Sequence, residues 1–175
     1  MGYTIKEMIS QEKLEGRIKE LGEQISKDYE GKSVHLICIL KGSAFFACEL
    51  AKYITVPVTM DFMQCSSYGA DTQSSGVVKL AKDLDETITG KNVIVIEDII
   101  DTGRTLNDVC KLLKIRNPIS FKVVTLLDKP SRRQEDFKAD VSLFTIPDYF
   151  VVGYGLDCGE HYRNLPYIAE YDEGK

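Results

Sequence analysis

Residues 93–106 read VIVIEDIIDTGRTL, and this stretch decides the fold class. Residues 93–96 form an unbroken β-branched run, which is typical of a strand buried on both faces of a parallel sheet. Two acids follow, Glu97 and Asp98, and two isoleucines later the chain reads DTGRT. The apolar spacing then becomes helical, at Leu106, Val109, Cys110 and Leu113. The stretch therefore predicts a buried strand that ends in acids and leads through a short loop into a helix.

The loop at residues 101–105 is suited to a phosphate group. Backbone N–H groups in such a loop, together with the helix dipole, favour an anion, while the two acids suit ribose hydroxyls or a divalent ion. Acids at the end of a buried strand also occur in receiver domains, and aspartic proteases also contain DTG. The ordered combination is far more specific than either part, and it predicts a sugar-phosphate ligand.

Composition limits the remaining possibilities. A chain of 175 residues with 43% hydrophobic residues fits one soluble domain spanning residues 1–175. The net charge of −5 disfavours a nucleic-acid partner. No signal peptide or membrane span is evident, so we expect a cytoplasmic protein. The cysteines are odd in number and lack C-x-x-C spacing, which favours reduced thiols, and a zinc site is improbable with only His35 and His161.

Buried strands and helices alternate along the rest of the chain. Helical spacing begins near Ser10 and ends near Tyr29, and a second helix is predicted at 44–53. Further strands are predicted at residues 34–40, 57–65, 77–81, 121–127, 141–144 and 150–152. This order predicts an α/β fold with a doubly wound, mostly parallel sheet. The loops at Lys41-Gly42, at 101–105 and at Lys129 should then converge at one sheet edge.

The 93–106 motif resembles the phosphoribosyl pyrophosphate signature of the type I phosphoribosyltransferases. Leu40-Lys41-Gly42, the LLDK stretch ending at Lys129, and PDYFVVGYGLD at residues 147–157 extend the resemblance to the short bacterial hypoxanthine-guanine phosphoribosyltransferases. It reaches from the N-terminal helix to about Ile168. It implies a small hood formed by the N- and C-terminal segments, Mg²⁺ as cofactor, and a homodimer or homotetramer.

The resemblance also implies roles in binding the phosphoribosyl donor. Asp101 would act as general base or acid at N7 of a purine. Glu97 and Asp98 would hold ribose hydroxyls, directly or through Mg²⁺. The 5′-phosphate would lie on Asp101, Thr102, Gly103, Arg104 and Thr105; pyrophosphate would lie on Lys41, Gly42 and Arg163. Ser67 and Tyr68 would belong to a flexible loop that closes to exclude water.

Four residues would bind the acceptor base and the second metal ion. A lysine at position 129 would donate to the exocyclic oxygen of a 6-oxopurine, which selects against adenine. Phe150 would stack on the purine, and the Val151 backbone would read its edge. Asp157 would join Glu97 and Asp98 as a metal ligand. The implied reaction joins phosphoribosyl pyrophosphate and hypoxanthine or guanine into IMP or GMP, with release of pyrophosphate.

Two alternatives remain at the level of sequence. One is a regulator that senses phosphoribosyl pyrophosphate and binds nucleic acid, which the acidic balance disfavours. The other is a different acceptor: the purine-type C-terminal segment disfavours orotate and uracil, and Lys129 disfavours adenine. The choice among hypoxanthine, guanine and xanthine stays open, as do the oligomeric state and the isomer of the Leu40–Lys41 peptide.

Overall fold

A computed structural model of the chain describes residues 2–66 and 79–174. The predicted loop residues Ser67 and Tyr68 lie outside them. The described strands are β1 Thr4–Ile9, β2 Val34–Leu40, β3 Val58–Ser66, β4 Lys79–Lys82, β5 Asn92–Ile100, β6 Ser120–Asp128, β7 Val141–Thr145, β8 Val151–Val152 and β9 Ile168–Asp172; the helices are α1 Gln11–Asp28, α2 Ala44–Lys52 and α3 Arg104–Lys114. A short 3-10 helix, Pro130–Arg132, follows β6.

Six strands form the central sheet, in the order β4-β3-β2-β5-β6-β7. The four pairings from β3 to β7 are parallel, and only the edge pairing of β4 with β3 is antiparallel. The predicted doubly wound, mostly parallel sheet is therefore confirmed. Since β2, β5 and β6 are neighbours and run in the same direction, the loops after them leave from one edge.

The two faces of the sheet are covered by different helices. Along β5, Ile94 and Ile96 face the cluster that contains α1 and α2, whereas Val93 and Val95 face the cluster that contains α3. All four are fully buried, as the unbroken apolar run predicts. The four apolar α3 positions identified from the spacing are also buried. The motif at 93–106 thus supplies the centre of the sheet and one covering helix.

The described strand β5 is longer than predicted. It continues through Glu97 and Asp98 to Ile100, so the two acids lie within the strand and not after it. The cause is the pairing with β6, which continues to Ile100 opposite Asp128. Side chains on a strand are held more rigidly than side chains on a loop, so the longer strand holds the two acids in fixed positions.

A three-stranded sheet in the order β1-β9-β8 forms the hood and confirms the expected small hood of N- and C-terminal segments. The strands β1 and β9 were not themselves predicted from the residue pattern. Only Ile9 of β1 is buried, so the strand shows little of the alternation that identifies one in sequence. Among the described helices, none is long and apolar enough to cross a membrane.

Candidate active site

The three predicted loops meet at the carboxyl ends of β2, β5 and β6. The Lys129 N–H donates to the carbonyl of Ile100 across 2.9 Å, which joins the β6 loop to the end of β5. Gly42, after β2, lies against the Asp98 carboxylate of β5. The three loops therefore lie at one sheet edge as predicted, although only the loop at 101–105 lines the cavity that opens there.

A cavity of about 250 Å³ opens at this edge. Its lining includes Leu40, Glu97, Asp101, Thr102, Gly103 and Thr105. All of these except Leu40 belong to the predicted donor site, and none of the predicted purine contacts lines the cavity. The described cavity therefore brings together residues that the sequence assigns to the sugar and its phosphate.

Glu97 and Asp98 form a half-buried acid pair, and Glu97 lines the cavity. Burial raises the pKa of the Glu97 carboxyl well above its usual range, and the neighbouring Asp98 charge raises it further. Burial also raises the pKa of Asp98, although the Ile99 N–H, which donates to its Oδ1 across 2.6 Å, and the Arg163 charge oppose that shift. Two crowded carboxylates are stabilised by a cation or by hydroxyl donors.

Gly42 is required by the position of this acid pair. A Cβ atom at residue 42 would lie 1.5 Å from Asp98 Oδ2. The hood packs against the same loop, since a Cβ at Gly155 would lie 1.9 Å from the Gly42 carbonyl oxygen. The backbone of the Gly42 loop therefore lies directly against the Asp98 carboxylate on one side and the Gly155 backbone on the other, with no side chain between them. The preceding Leu40–Lys41 peptide, left open by the sequence, is cis.

The phosphate loop ends at the start of α3, where the Arg104 N–H donates to Thr102 Oγ1 across 3.4 Å. Gly103 is the N-cap of α3, has φ +82°, and provides no side-chain cap to the first N–H groups of the helix. Arg104 and Thr105 in the first turn are exposed. The turn thus presents backbone donors and the positive end of a helix dipole to the cavity, as the sequence predicts for a phosphate site.

Asp101 adjoins both the cavity and an arginine. Its Oδ1 is shielded from solvent, and Arg132 Nε lies 2.7 Å from this oxygen as an ion-pair partner. The carboxylate lies at a polar cavity, and its second oxygen is suited to accept a proton from a ligand.

Lys129 and Phe150 lie together beyond this aspartate. Lys129 is only 7% exposed, and its Nζ donates to the Tyr149 carbonyl oxygen across 2.5 Å. Phe150 is 55% exposed, and its ring meets the Tyr171 ring edge to face at 5.9 Å. Val151 is buried in β8 beside it. A buried ammonium group and an exposed ring form a suitable surface for a flat, carbonyl-bearing base.

The predicted pyrophosphate and second-metal residues form one ion-pair cluster. Arg163 Nη2 lies 3.0 Å from Asp157 Oδ1 and 3.3 Å from Glu160 Oε1. The other Glu160 oxygen lies 3.0 Å from Lys41 Nζ. Glu160 therefore connects the two cations predicted to bind pyrophosphate. It has φ +68°, and Tyr154 and Tyr162 in the same segment also have positive φ, a concentration of backbone strain that often marks a binding site.

The comparisons with known proteins agree with this arrangement. A model of the phosphoribosyl transferase domain matches residues 5–158. A hypoxanthine-guanine phosphoribosyltransferase from Streptococcus thermophilus is 50% identical over 168 residues, 96% of this chain and 93% of that protein. The chain belongs to the hypoxanthine-guanine phosphoribosyltransferase family.

Solved structures of this family have the same fold. The crystal structure of a hypoxanthine-guanine phosphoribosyltransferase from Bacillus anthracis superposes with a TM-score of 0.90 at 51% identity, and covers 94% of this chain and 97% of its own. A hypoxanthine phosphoribosyltransferase from Staphylococcus aureus also reaches 0.90, at 48% identity, and covers 94% and 90%.

Several residues at this family site were missed in the sequence. Arg133 donates from Nη1 to the Asp101 carbonyl oxygen across 2.8 Å and pairs with Asp128, so it clamps the phosphate loop to β6. Arg132, Glu160 and Tyr171 were missed as well. Charged residues after a strand are common, and only the three-dimensional contacts distinguish these. The pair of arginines three and four residues after Lys129 was the one available signal.

Proposed function

We propose that this chain transfers the 5-phosphoribosyl group of phosphoribosyl pyrophosphate to N9 of hypoxanthine, and of guanine, giving IMP or GMP and pyrophosphate. The observation that supports this most directly is the position of buried Lys129, whose backbone N–H bonds to the end of β5 next to the Asp101 loop and whose Nζ bonds to the residue before exposed Phe150. A site for a flat oxo-base thus adjoins a site for a sugar phosphate. The relatives' names describe the same activity for those proteins.

The donor half would be bound by groups suited to each of its parts. The N–H groups at the start of α3 and the hydroxyls of Thr102 and Thr105 would hold the 5′-phosphate. Lys41 and Arg163 would neutralise the pyrophosphate. Glu97 and Asp98 would accept hydrogen bonds from the ribose hydroxyls. These contacts fix the position of C1′ relative to the base.

The residues of this site fit Mg²⁺. Glu97 and Asp98 supply oxygen ligands, and burial raises the pKa of both, so a cation would stabilise their charged forms. No group of three potential metal-binding side chains occurs in the part of the chain that the structure describes. Mg²⁺ usually takes one or two carboxylates together with substrate phosphates, so we propose that Glu97 and Asp98 would hold one ion and that Asp157 would hold a second. When bound, Mg²⁺ would neutralise charge on the departing pyrophosphate.

The base would react between Lys129 and Asp101. The Lys129 ammonium group would donate to the 6-oxo oxygen, Phe150 would stack on the ring, and the Val151 backbone would read the ring edge. As N9 forms its bond to C1′ and the bond from C1′ to pyrophosphate breaks, Asp101 would accept the proton from N7. The charge that develops on the base is thus removed without hydroxide or bulk water.

A base panel tests the activity and its specificity. The protein is incubated with Mg²⁺, phosphoribosyl pyrophosphate and one of hypoxanthine, guanine, xanthine, adenine or uracil, and kcat/KM is measured for each. We expect turnover of hypoxanthine and guanine and at least a 100-fold preference over adenine, on the order of what a mismatched hydrogen bond at a buried polar group produces. Absence of nucleotide from every base would refute the proposal.

Two further measurements test its finer parts. Asp101→Asn is expected to lower kcat about 100-fold or more while the KM for phosphoribosyl pyrophosphate changes little. Chelation of divalent ions should stop turnover, and added Mg²⁺ should restore it. We also propose a homodimer or homotetramer, which light scattering on the purified protein measures directly.

A further inference from the structure

The turn after β6 holds three cations in different directions. Lys129 points to the Tyr149 carbonyl oxygen, Arg133 holds the phosphate loop, and Arg132 lies between them. Pro130 begins the 3-10 helix that ends at Arg132, and the Arg132 N–H donates to the Lys129 carbonyl oxygen across 3.1 Å. Proline restricts the backbone here, so the relative positions of Lys129 and Arg132 are fixed by local structure.

The Arg132 guanidinium contacts two carboxylates on different segments. Its Nε lies 2.7 Å from Asp101 Oδ1, and its Nη1 lies 3.4 Å from Asp148 Oδ2. The second Asp148 oxygen lies 3.9 Å from Lys129 Nζ. A continuous series of ion pairs thus joins Asp101, Arg132, Asp148 and Lys129. Two positive and two negative charges alternate along it.

We propose that Arg132 is a positioning residue that orients the Asp101 carboxylate toward the base and couples it, through Asp148, to Lys129. This inference rests on the proposed function. Asp148 lies two residues before Phe150, so the series links the group that handles the proton to the groups that would hold the base. The planar guanidinium is suited to this task because its separate N–H groups contact both acids at fixed angles.

The exposure of these groups explains why the series acts when the base is bound. The Arg132, Asp101 and Asp148 side chains are 47%, 42% and 49% exposed, so each pair alone contributes little in water. A purine stacked on Phe150 covers this surface and removes water from it. Ion pairs strengthen as water is excluded, so the orientation of Asp101 becomes fixed in the complex that reacts.

A double-mutant cycle between Arg132 and Asp101 tests the inference. Arg132→Gln is expected to lower kcat with hypoxanthine about tenfold while the KM for phosphoribosyl pyrophosphate stays within about twofold, because positioning of a catalytic group affects the reacting complex. In the Asp101→Asn background, whose residual turnover is followed over long incubations, the same substitution should change kcat less than twofold. Arg17→Gln, which removes an exposed arginine paired with Glu20 on α1, serves as the matched control and should leave kcat unchanged in both backgrounds.

Asp148→Asn tests the second half of the series. It should lower kcat/KM for hypoxanthine in the wild-type background and have less than twofold effect once Arg132 is glutamine. The inference would be overturned if Arg132→Gln lowered kcat by the same factor in the wild-type and Asp101→Asn backgrounds, or if it did not lower kcat in the wild-type background. Turnover by the wild-type protein would in either case still support the proposed function. A wild-type protein without turnover would refute the proposed function and this inference with it. Unchanged circular dichroism and melting temperature establish that the variants fold.

Discussion

The contact between Gly42 and Asp98 makes a specific prediction about Gly42→Ala. The added methyl carbon would lie 1.5 Å from Asp98 Oδ2 and 2.6 Å from its Cγ. Ordinary contact begins at about 3.4 Å, so the carboxylate must retreat by about 1.9 Å. Rotation of the carboxylate away from residue 42 would break the 2.6 Å hydrogen bond that Asp98 Oδ1 accepts from the Ile99 N–H.

Displacement by this distance should affect catalysis more than stability. Misplacing a catalytic group by about 1 Å can reduce the rate about 100-fold, so we expect kcat of Gly42→Ala to fall by about that factor. Overpacking costs about 1–3 kcal/mol, which corresponds to about 2–12 °C in the melting temperature of a chain of this size. Steady-state kinetics at saturating hypoxanthine and a thermal melt measure the two effects.

Two other glycines provide matched controls. A Cβ at Gly22 would lie 2.5 Å from the Cβ of Tyr53, where α1 meets the end of α2, so Gly22→Ala should lower the melting temperature without lowering kcat. A Cβ at Gly16 would meet no heavy atom within 4 Å, and Gly16→Ala should stabilise α1 by up to about 1 kcal/mol. The prediction is refuted if the kcat of Gly42→Ala stays within threefold of the wild-type value, or if Gly22→Ala loses as much activity as Gly42→Ala does.

Three further predictions concern the base, the pyrophosphate and pH. Phe150→Ala should raise the KM for hypoxanthine about tenfold in steady-state kinetics, since stacking is worth about 1–3 kcal/mol per base. The KM for phosphoribosyl pyrophosphate should stay unchanged, and equal changes in both KM values would contradict this prediction. Glu160→Gln removes an ion-pair partner from Lys41 and one of two from Arg163, whose pair with Asp157 remains. Pyrophosphate should then inhibit roughly two- to fivefold more tightly, and weaker inhibition would contradict the prediction. Burial lowers the pKa of His35, so the unfolded chain binds more protons than the folded one, and the free energy of unfolding should fall as the pH drops through about 6.5. Urea titrations should show less of this fall in His35→Gln than in the control His161→Gln, which changes an exposed histidine. The same dependence on pH in both variants would refute this prediction.

The central sheet was predictable because its information is local. The β-branched run before Glu97 and the helical spacing after Gly103 each identify their own element, and adjacency of β2, β5 and β6 follows from the topology rules. The strand β1 was not predicted because it is defined by its pairing with β9, more than 150 residues later. A strand with one buried side chain has no period to detect.

The candidate site divides in the same way. Asp101 and its loop stand in a motif that is recognisable without any structure, whereas Lys129 and Phe150 gained a role only from the family resemblance. Arg132 could not be predicted, since its meaning depends on Asp101 and Asp148, which approach it from other segments. Ion pairs between residues that are far apart in the chain produce no regular spacing that could be recognised in the sequence.

The hood makes the order of folding matter for the base. Within the hood, β9 lies between β1 and β8, so neither of the other two has a hood partner until β9 is present. The Phe150 carbonyl accepts its hydrogen bond from the Tyr171 N–H of β9, and the Phe150 ring rests on the Tyr171 ring. During synthesis β9 is the last of the described strands to be made, so the Phe150 ring gains the support of Tyr171 only after that strand has been synthesised. The surface for the base is therefore completed late, although Lys129 and Phe150 are themselves made earlier.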